Sequence, residues 1–195
     1  DNATWCFAHG QSVMWDNGAF SFYTRKTAIK WDKFYSWVEP RLGHPHWAVI
    51  PDVIDGTEEA NWALIKEWPL RKDCAAPVWH LHESLLHLHN ILDEGFPRIC
   101  FGSSAQYWQI GSLAWERRMD EVFNSISASG SMPWVHMLRG LSLCGDKWPF
   151  ASADSVNVAR NFSSQNMCPE RMARRIDAVQ GPITWTLKPI QTELL

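Results

Sequence analysis

Apolar and polar positions along the chain follow two periods. Short apolar runs rich in Val, Ile, Trp and Phe occupy residues 4–8, 12–15, 47–53, 76–81, 98–102, 134–138 and 150–153, with a weaker eighth at 183–187. Their length and β-favouring composition predict strands. Helical spacing lies between several of them. Trp31, Phe34, Tyr35 and Val38 fall at i, i+3, i+4 and i+7, and Pro40 predicts the end of that helix. Trp62, Ile65 and Trp68 mark a second helix, capped by Asp55 or Thr57 and stopped near Pro69. Leu85, Leu88, Ile91 and Leu92 define a third that ends at Gly95. Trp115, Met119, Val122 and Ile126 define a fourth, and Met172, Ile176 and Val179 a late one ending at Gly181.

Strands that alternate with helices imply βαβ units and a parallel sheet. Seven or eight strands fit a small (β/α)8 barrel as a single domain over residues 1–195, with a doubly wound open sheet as the rival. Polar residues at the run ends favour the barrel. His9, Asp16-Asn17, Asp52, His80 with His82, Ser103-Ser104, His136 and Asp154-Ser155 each sit at or just past the end of an apolar run. A barrel gathers such strand ends at one mouth, whereas an open sheet gathers only those near its switch point.

Composition narrows the class. The chain has 195 residues, a net charge of −3 and 46% hydrophobic residues, which fits a folded domain and excludes a disordered or histone-like chain. No apolar run approaches the ~20 residues of a membrane span, and no basic-then-apolar signal segment opens the sequence. A cytoplasmic protein without a membrane role is the expectation. Five widely spaced cysteines without a CxxC pair fit buried free thiols better than a disulfide framework or a zinc ribbon.

Three carboxylates stand at run ends: Asp16, Asp52 and Asp154. Crowded at one mouth, they would separate in pKa and divide nucleophile from acid/base. Each alone is equally a turn residue. His80 and His82 lie two apart on a strand and so share a face. With His136 and Asp154 they offer a zinc or other divalent site of hydrolase type. Against it, the HxH spacing recurs at His44/His46 and His87/His89, which points to a His-tolerant composition. Gly102 and Ser103 leave room for a flat ligand or phosphate near the backbone, or simply form a tight turn. Arg25, Lys26, Lys30 and Lys33 form a basic stretch, and Lys147, Arg160, Arg171, Arg174 and Arg175 enrich the later part. Such groups suit phosphate contacts or a solvated surface.

Taken in order, these motifs resemble the tRNA-guanine transglycosylase superfamily, and more closely its short phage and bacterial relatives of the 7-deazaguanine DNA type. Asp16-Asn17-Gly18-Ala19-Phe20-Ser21 resembles the family's Asp-Ser-Gly-Gly-Phe/Tyr-Gln turn. Phe150-Ala151-Ser152-Ala153-Asp154-Ser155 resembles its nucleophile strand, and His136-Met137-Leu138-Arg139-Gly140 its His-x-Met-Gly strand. The likeness spans roughly residues 12–161 at the level of motifs. It implies that Asp154 attacks the sugar C1′ and expels guanine, that a free 7-deazaguanine displaces the enzyme, and that Asp16 is the general acid/base. Phe20 and Met137 would sandwich the purine. Asp52, His80, His82, Gly102, Ser103 and His136 would bind it, and Arg25, Lys26, Arg139 and Arg160 would hold the nucleic-acid backbone. An extruded base needs such a flat apolar slot with a few polar readers.

Two departures refine the expectation. Only Cys168 follows Asp154, so the zinc cluster of the tRNA enzymes is not expected, and no other cofactor is implied. His80 or His82 stands where the family reads the base with Gln. Lacking an RNA-binding extension, the pattern favours DNA over tRNA. The alternatives are a metal-dependent hydrolase using His80, His82, His136 and Asp154, in which zinc would be the cofactor, and a nucleic-acid-binding barrel without catalysis. Among the 13 Trp, Trp31, Trp62, Trp68 and Trp115 read as core, while Trp108 and Trp148 read as loop residues able to stack on bases.

Overall fold

The computed structural model describes residues 2–27, 29–130, 132–145, 147–156 and 168–189. The chain divides into two units, 1–100 and 101–195. It is an α/β protein with parallel strand pairing.

In the first unit, α1 (Asn2–His9) precedes β1 (Met14–Trp15), α2 (Ala19–Arg25) and α3 (Trp31–Val38). Then come β2 (Trp47–Val49), α4 (Glu58–Lys66), β3 (Ala75–Ala76), β4 (Val78–His80) and α5 (Leu85–Asp93). Strand β5 (Arg98–Gly102) crosses the unit boundary. The second unit holds α6 (Leu113–Ala128), β6 (Trp134–Met137), β7 (Ser152–Ala153) and α7 (Pro169–Asp177).

The strands form a three-stranded sheet, β1-β2-β3, and a four-stranded sheet, β4-β5-β6-β7. Met14 pairs with Trp47, Ala48 with Ala75, and His136 with Ser152, all in parallel. Proline explains where one sheet stops and the other starts. Only Pro77 separates β3 from β4, and a proline has no N–H to give a ladder. Its carbonyl still accepts from Cys100 N–H at 2.8 Å. The expected strand at 76–81 is therefore two short strands either side of Pro77, and Leu81 lies in the turn that follows.

Two expected strands are corrected. Residues 4–8 lie in α1, where Trp5 stacks on His9 one turn later at 4.6 Å and the His9 ring bonds to the Trp5 carbonyl. That i, i+4 contact fits a helix and not a strand. Residues 183–187 carry no strand, and Ile183 is 90% exposed. The pattern there has no sheet face to bury.

The five helices read from apolar stripes all form, but α4 stops at Lys66, before Trp68, and α7 stops at Asp177, before Val179 and Gly181. Thr57, not Asp55, caps α4: its Oγ1 accepts from Ala60 N–H at 3.3 Å. Ser112 caps α6, whose face of Trp115, Met119, Val122, Phe123 and Ile126 is buried. At about 2 kcal/mol for each large apolar side chain, that face contributes roughly 10 kcal/mol against about 1 for the cap, so packing decides where α6 lies. Trp148 is corrected from a stacking loop residue to core. It is wholly buried, edge-on to Trp115 at 5.1 Å, and its Nε1 donates to Asp120 at 2.9 Å. Trp108 stays 68% exposed.

Candidate functional sites in the two units

Each unit carries a histidine–aspartate pair at strand ends. The first begins with Asn17, just past β1. Its Oδ1 accepts from Ala19 N–H at 2.7 Å, which starts α2 without a side-chain cap on Gly18. Its Nδ2 donates to Ile50 O at 2.8 Å and to Asp52 Oδ1 at 2.9 Å. The other oxygen of Asp52 lies 3.0 Å from His80 Nε2. The His80 backbone N–H donates to Glu83 Oε2, and Asn61 Nδ2 donates to Glu83 Oε1, both at 2.8 Å. Asn17, Asp52, Asn61, His80 and Glu83 are all buried.

Such a network holds because each buried carboxylate has partners. Burial by itself pushes the His80 imidazole down. The hydrogen bond and charge of Asp52, helped by Glu83 and Asp55, outweigh it and hold His80 above the ordinary histidine value. His82 lies half-buried with its ring 5.9 Å from His80 and its Nε2 3.4 Å from Gly56 O. Around this buried chain, Asp16 is exposed, Phe20 is half-exposed on the first turn of α2, and Arg25 and Lys26 are exposed at its end.

The second pair lies at the ends of β6 and β7. Register places His136 opposite Ser152, and His136 Nδ1 lies 2.6 Å from Ser152 Oγ. His136 is buried and stacks parallel to Trp134. Its Nε2 stands 3.4 Å from Asp154 Oδ1, which also accepts from Arg139 N–H at 2.6 Å. Arg139 takes a left-handed φ of 60°, a conformation costly for a residue with a Cβ, and this turn presents its N–H to the carboxylate. Burial pushes Asp154 up. The His136 hydrogen bond and the Arg139 N–H overcome it and hold Asp154 below the usual carboxylate range. Its side chain remains 38% exposed.

Beside this pair is a cavity of about 370 Å³. Arg139, Leu141, Ser142 and Ser155 line one part, and Met172, Arg175, Ile176 and Val179 line the other. Met137 and Gly102 are buried, and Ser103 Oγ accepts from Trp115 Nε1 at 2.9 Å. Arg160 lies outside the described residues.

The structure thus joins Asp52 with His80, and His136 with Asp154 and the Arg139 backbone. Asn17, Asn61, Glu83 and Ser152 were missed as site residues in the sequence. Ser152 had a signal, since it is two residues before Asp154 on a strand and so shares its face. Glu83 had none, because the turn after β4 directs its carboxylate back to the His80 N–H. Among the described residues, no group of three or more His, Cys, Asp or Glu is arranged to hold a metal ion, and no helix is long and apolar enough to cross a membrane. No protein-family model, curated protein or solved structure matches the chain.

Proposed function

We propose that the protein exchanges a purine base in a nucleic acid, DNA ahead of tRNA, through a covalent glycosyl-enzyme on Asp154. The observation that carries this reading is the state of Asp154. It is a half-open carboxylate at the end of a parallel strand, kept ionised by His136 and the Arg139 N–H, next to a ligand-sized cavity. A nucleophilic carboxylate must be ionised and reachable, and Asp154 is both. Both described contacts of its side chain fall on Oδ1, so attack through Oδ2 breaks neither.

In the first step an Asp154 oxygen bonds to C1′ as the C1′–N9 bond breaks, and the electron pair leaves on the purine N9. Asp16 in its acid form protonates that nitrogen. In the second step Asp16, now a carboxylate, removes the N9 proton of a 7-deazaguanine. The N9 electron pair then attacks C1′ and the ester to Asp154 breaks, restoring the enzyme. Base recognition falls to Phe20, Asp52, His80, His82, Gly102, Ser103, His136 and Met137, and the phosphate backbone to Arg25, Lys26, Arg139 and Arg160.

The reading includes a closed (β/α)8 barrel. Its support is strand order: within each sheet, neighbours follow one another in sequence. A doubly wound sheet reverses its order at a switch point, and neither sheet does so. The test is to incubate DNA and tRNA separately with labelled guanine. Incorporation into DNA that Asp154→Asn abolishes is expected. Absence from both nucleic acids over a range of salt would overturn the proposal.

A further inference from the structure

The apolar run at 183–187 forms neither helix nor strand, yet the chain there is held against α6. Asp120, Phe123 and Asn124 lie three and four residues apart on that helix and so share one surface. The Asn124 amide grips the Lys188 backbone from both sides: its Oδ1 accepts from the Lys188 N–H at 3.0 Å and its Nδ2 donates to the Lys188 carbonyl at 2.8 Å. The same Oδ1 accepts from Trp185 Nε1 at 2.8 Å. The Trp185 ring stands 5.5 Å from that of Phe123. The Lys188 ammonium donates to Asp120 Oδ1 at 2.9 Å and lies 4.3 Å from the centre of the Trp185 ring, with Trp148 at 5.7 Å. Buried Trp148 donates to Asp120 Oδ1 as well, which orients that carboxylate independently of the lysine.

These contacts have the form of peptide recognition. An amide bonded to both backbone groups of one residue fixes register without reading sequence. The indole anchor and the ammonium between aromatic faces supply the sequence preference. Five of the seven residues from Ile183 to Pro189 are exposed. A segment so exposed, held by side chains of another element, opens at lower cost than the helix it lies on. We infer that the α6 surface around Asn124 is a peptide-binding site, occupied in cis by residues 185–188. When that segment lifts off, the site takes a peptide that carries a Trp and, three residues later, a Lys. Peptide binding there does not rest on the base-exchange reading.

The experiment titrates a fluorescein-labelled peptide of residues 182–189 with the full chain carrying Trp185→Ala and Lys188→Ala. Those changes remove the anchors of the internal segment and leave Asp120, Phe123 and Asn124 in place. Saturable binding, read by fluorescence anisotropy, is expected to be about tenfold or more tighter than to the wild type, whose tethered segment competes at an effective concentration of order mM. Asn124→Ala in the same background removes three hydrogen bonds and should weaken binding about tenfold or more. Trp185→Ala in the peptide should do the same. Alanine suits a helix, so α6 and the circular dichroism spectrum are expected to persist. Hydrogen exchange of the wild type needs no variant, and decides the matter if the double variant does not fold. The Lys188 amide should exchange about tenfold or more faster than the amides of the buried turns of α6. Equal exchange would mean that the segment leaves only on global unfolding and would overturn the proposal. So would a folded double variant that does not bind the peptide, or peptide binding indifferent to Asn124.

Discussion

The two histidine–aspartate pairs use the same residue types for different ends. In the first unit both oxygens of Asp52 are taken, one by Asn17 and one by His80, and the side chain is 10% exposed. In the second unit the described contacts of Asp154 with His136 and the Arg139 N–H fall on Oδ1, and 38% of the side chain is open. Their pKa shifts also run in opposite directions, because the group resolved as shifted is the base in one pair and the acid in the other. Against the opposing pull of burial, the carboxylates beside His80 raise its pKa, and the donors beside Asp154 lower that of Asp154. A carboxylate held on both oxygens is fixed in place by its buried partners. One held on a single oxygen leaves the other open, which the proposed reaction at Asp154 requires.

Chemistry gives the largest expected effect. Asp154→Asn should reduce guanine incorporation by about 10⁴-fold or more, the scale of losing a nucleophile, while the urea midpoint moves little. A loss matched by Asp52→Asn at unchanged stability would erase the distinction between the pairs. Stability comes next. Asp52→Ala leaves His80 and Asn17 buried without their shared acceptor and should cost about 3–5 kcal/mol in urea unfolding. Asp154→Ala, at a half-open site, should cost clearly less in the same assay.

Titration sharpens the contrast further. A raised His80 favours the folded state most below the ordinary histidine value, and that contribution is lost as pH rises through its folded pKa. A lowered Asp154 favours folding above the ordinary carboxylate value, and its share is lost as pH falls through its folded pKa. Urea midpoints against pH should therefore lose an alkaline-side slope in His80→Gln and an acid-side slope in Asp154→Asn. Ser152→Ala is the smallest test. Removing the hydroxyl 2.6 Å from His136 Nδ1 should cost about 1 kcal/mol and shift the pH profile of incorporation. No shift would make Ser152 a packing residue.

Much of this was legible in the chain. The 3.6-residue stripes placed α3 through α7, and apolar runs placed β1 through β7, because burial demands that spacing wherever an element has one covered face. The run ends at Asp16, Asp52, His80, His136 and Asp154 were visible for the same reason. Strand ends were less legible. Pro77 split a single run, and α1 took an apolar stretch that reads as a strand because a short run does not distinguish the two periods.

Local pattern, then, determined the element types, their order, and the polar residues at their ends, since these depend on neighbours within a few positions. Tertiary structure alone decided the partners. It decided that Asp52 is shared by Asn17 and His80, that Trp148 is core, and that Arg175 shares a cavity with Arg139. Such pairings depend on register and on side chains tens of residues apart, and burial and charge act between them only once the chain has brought them together.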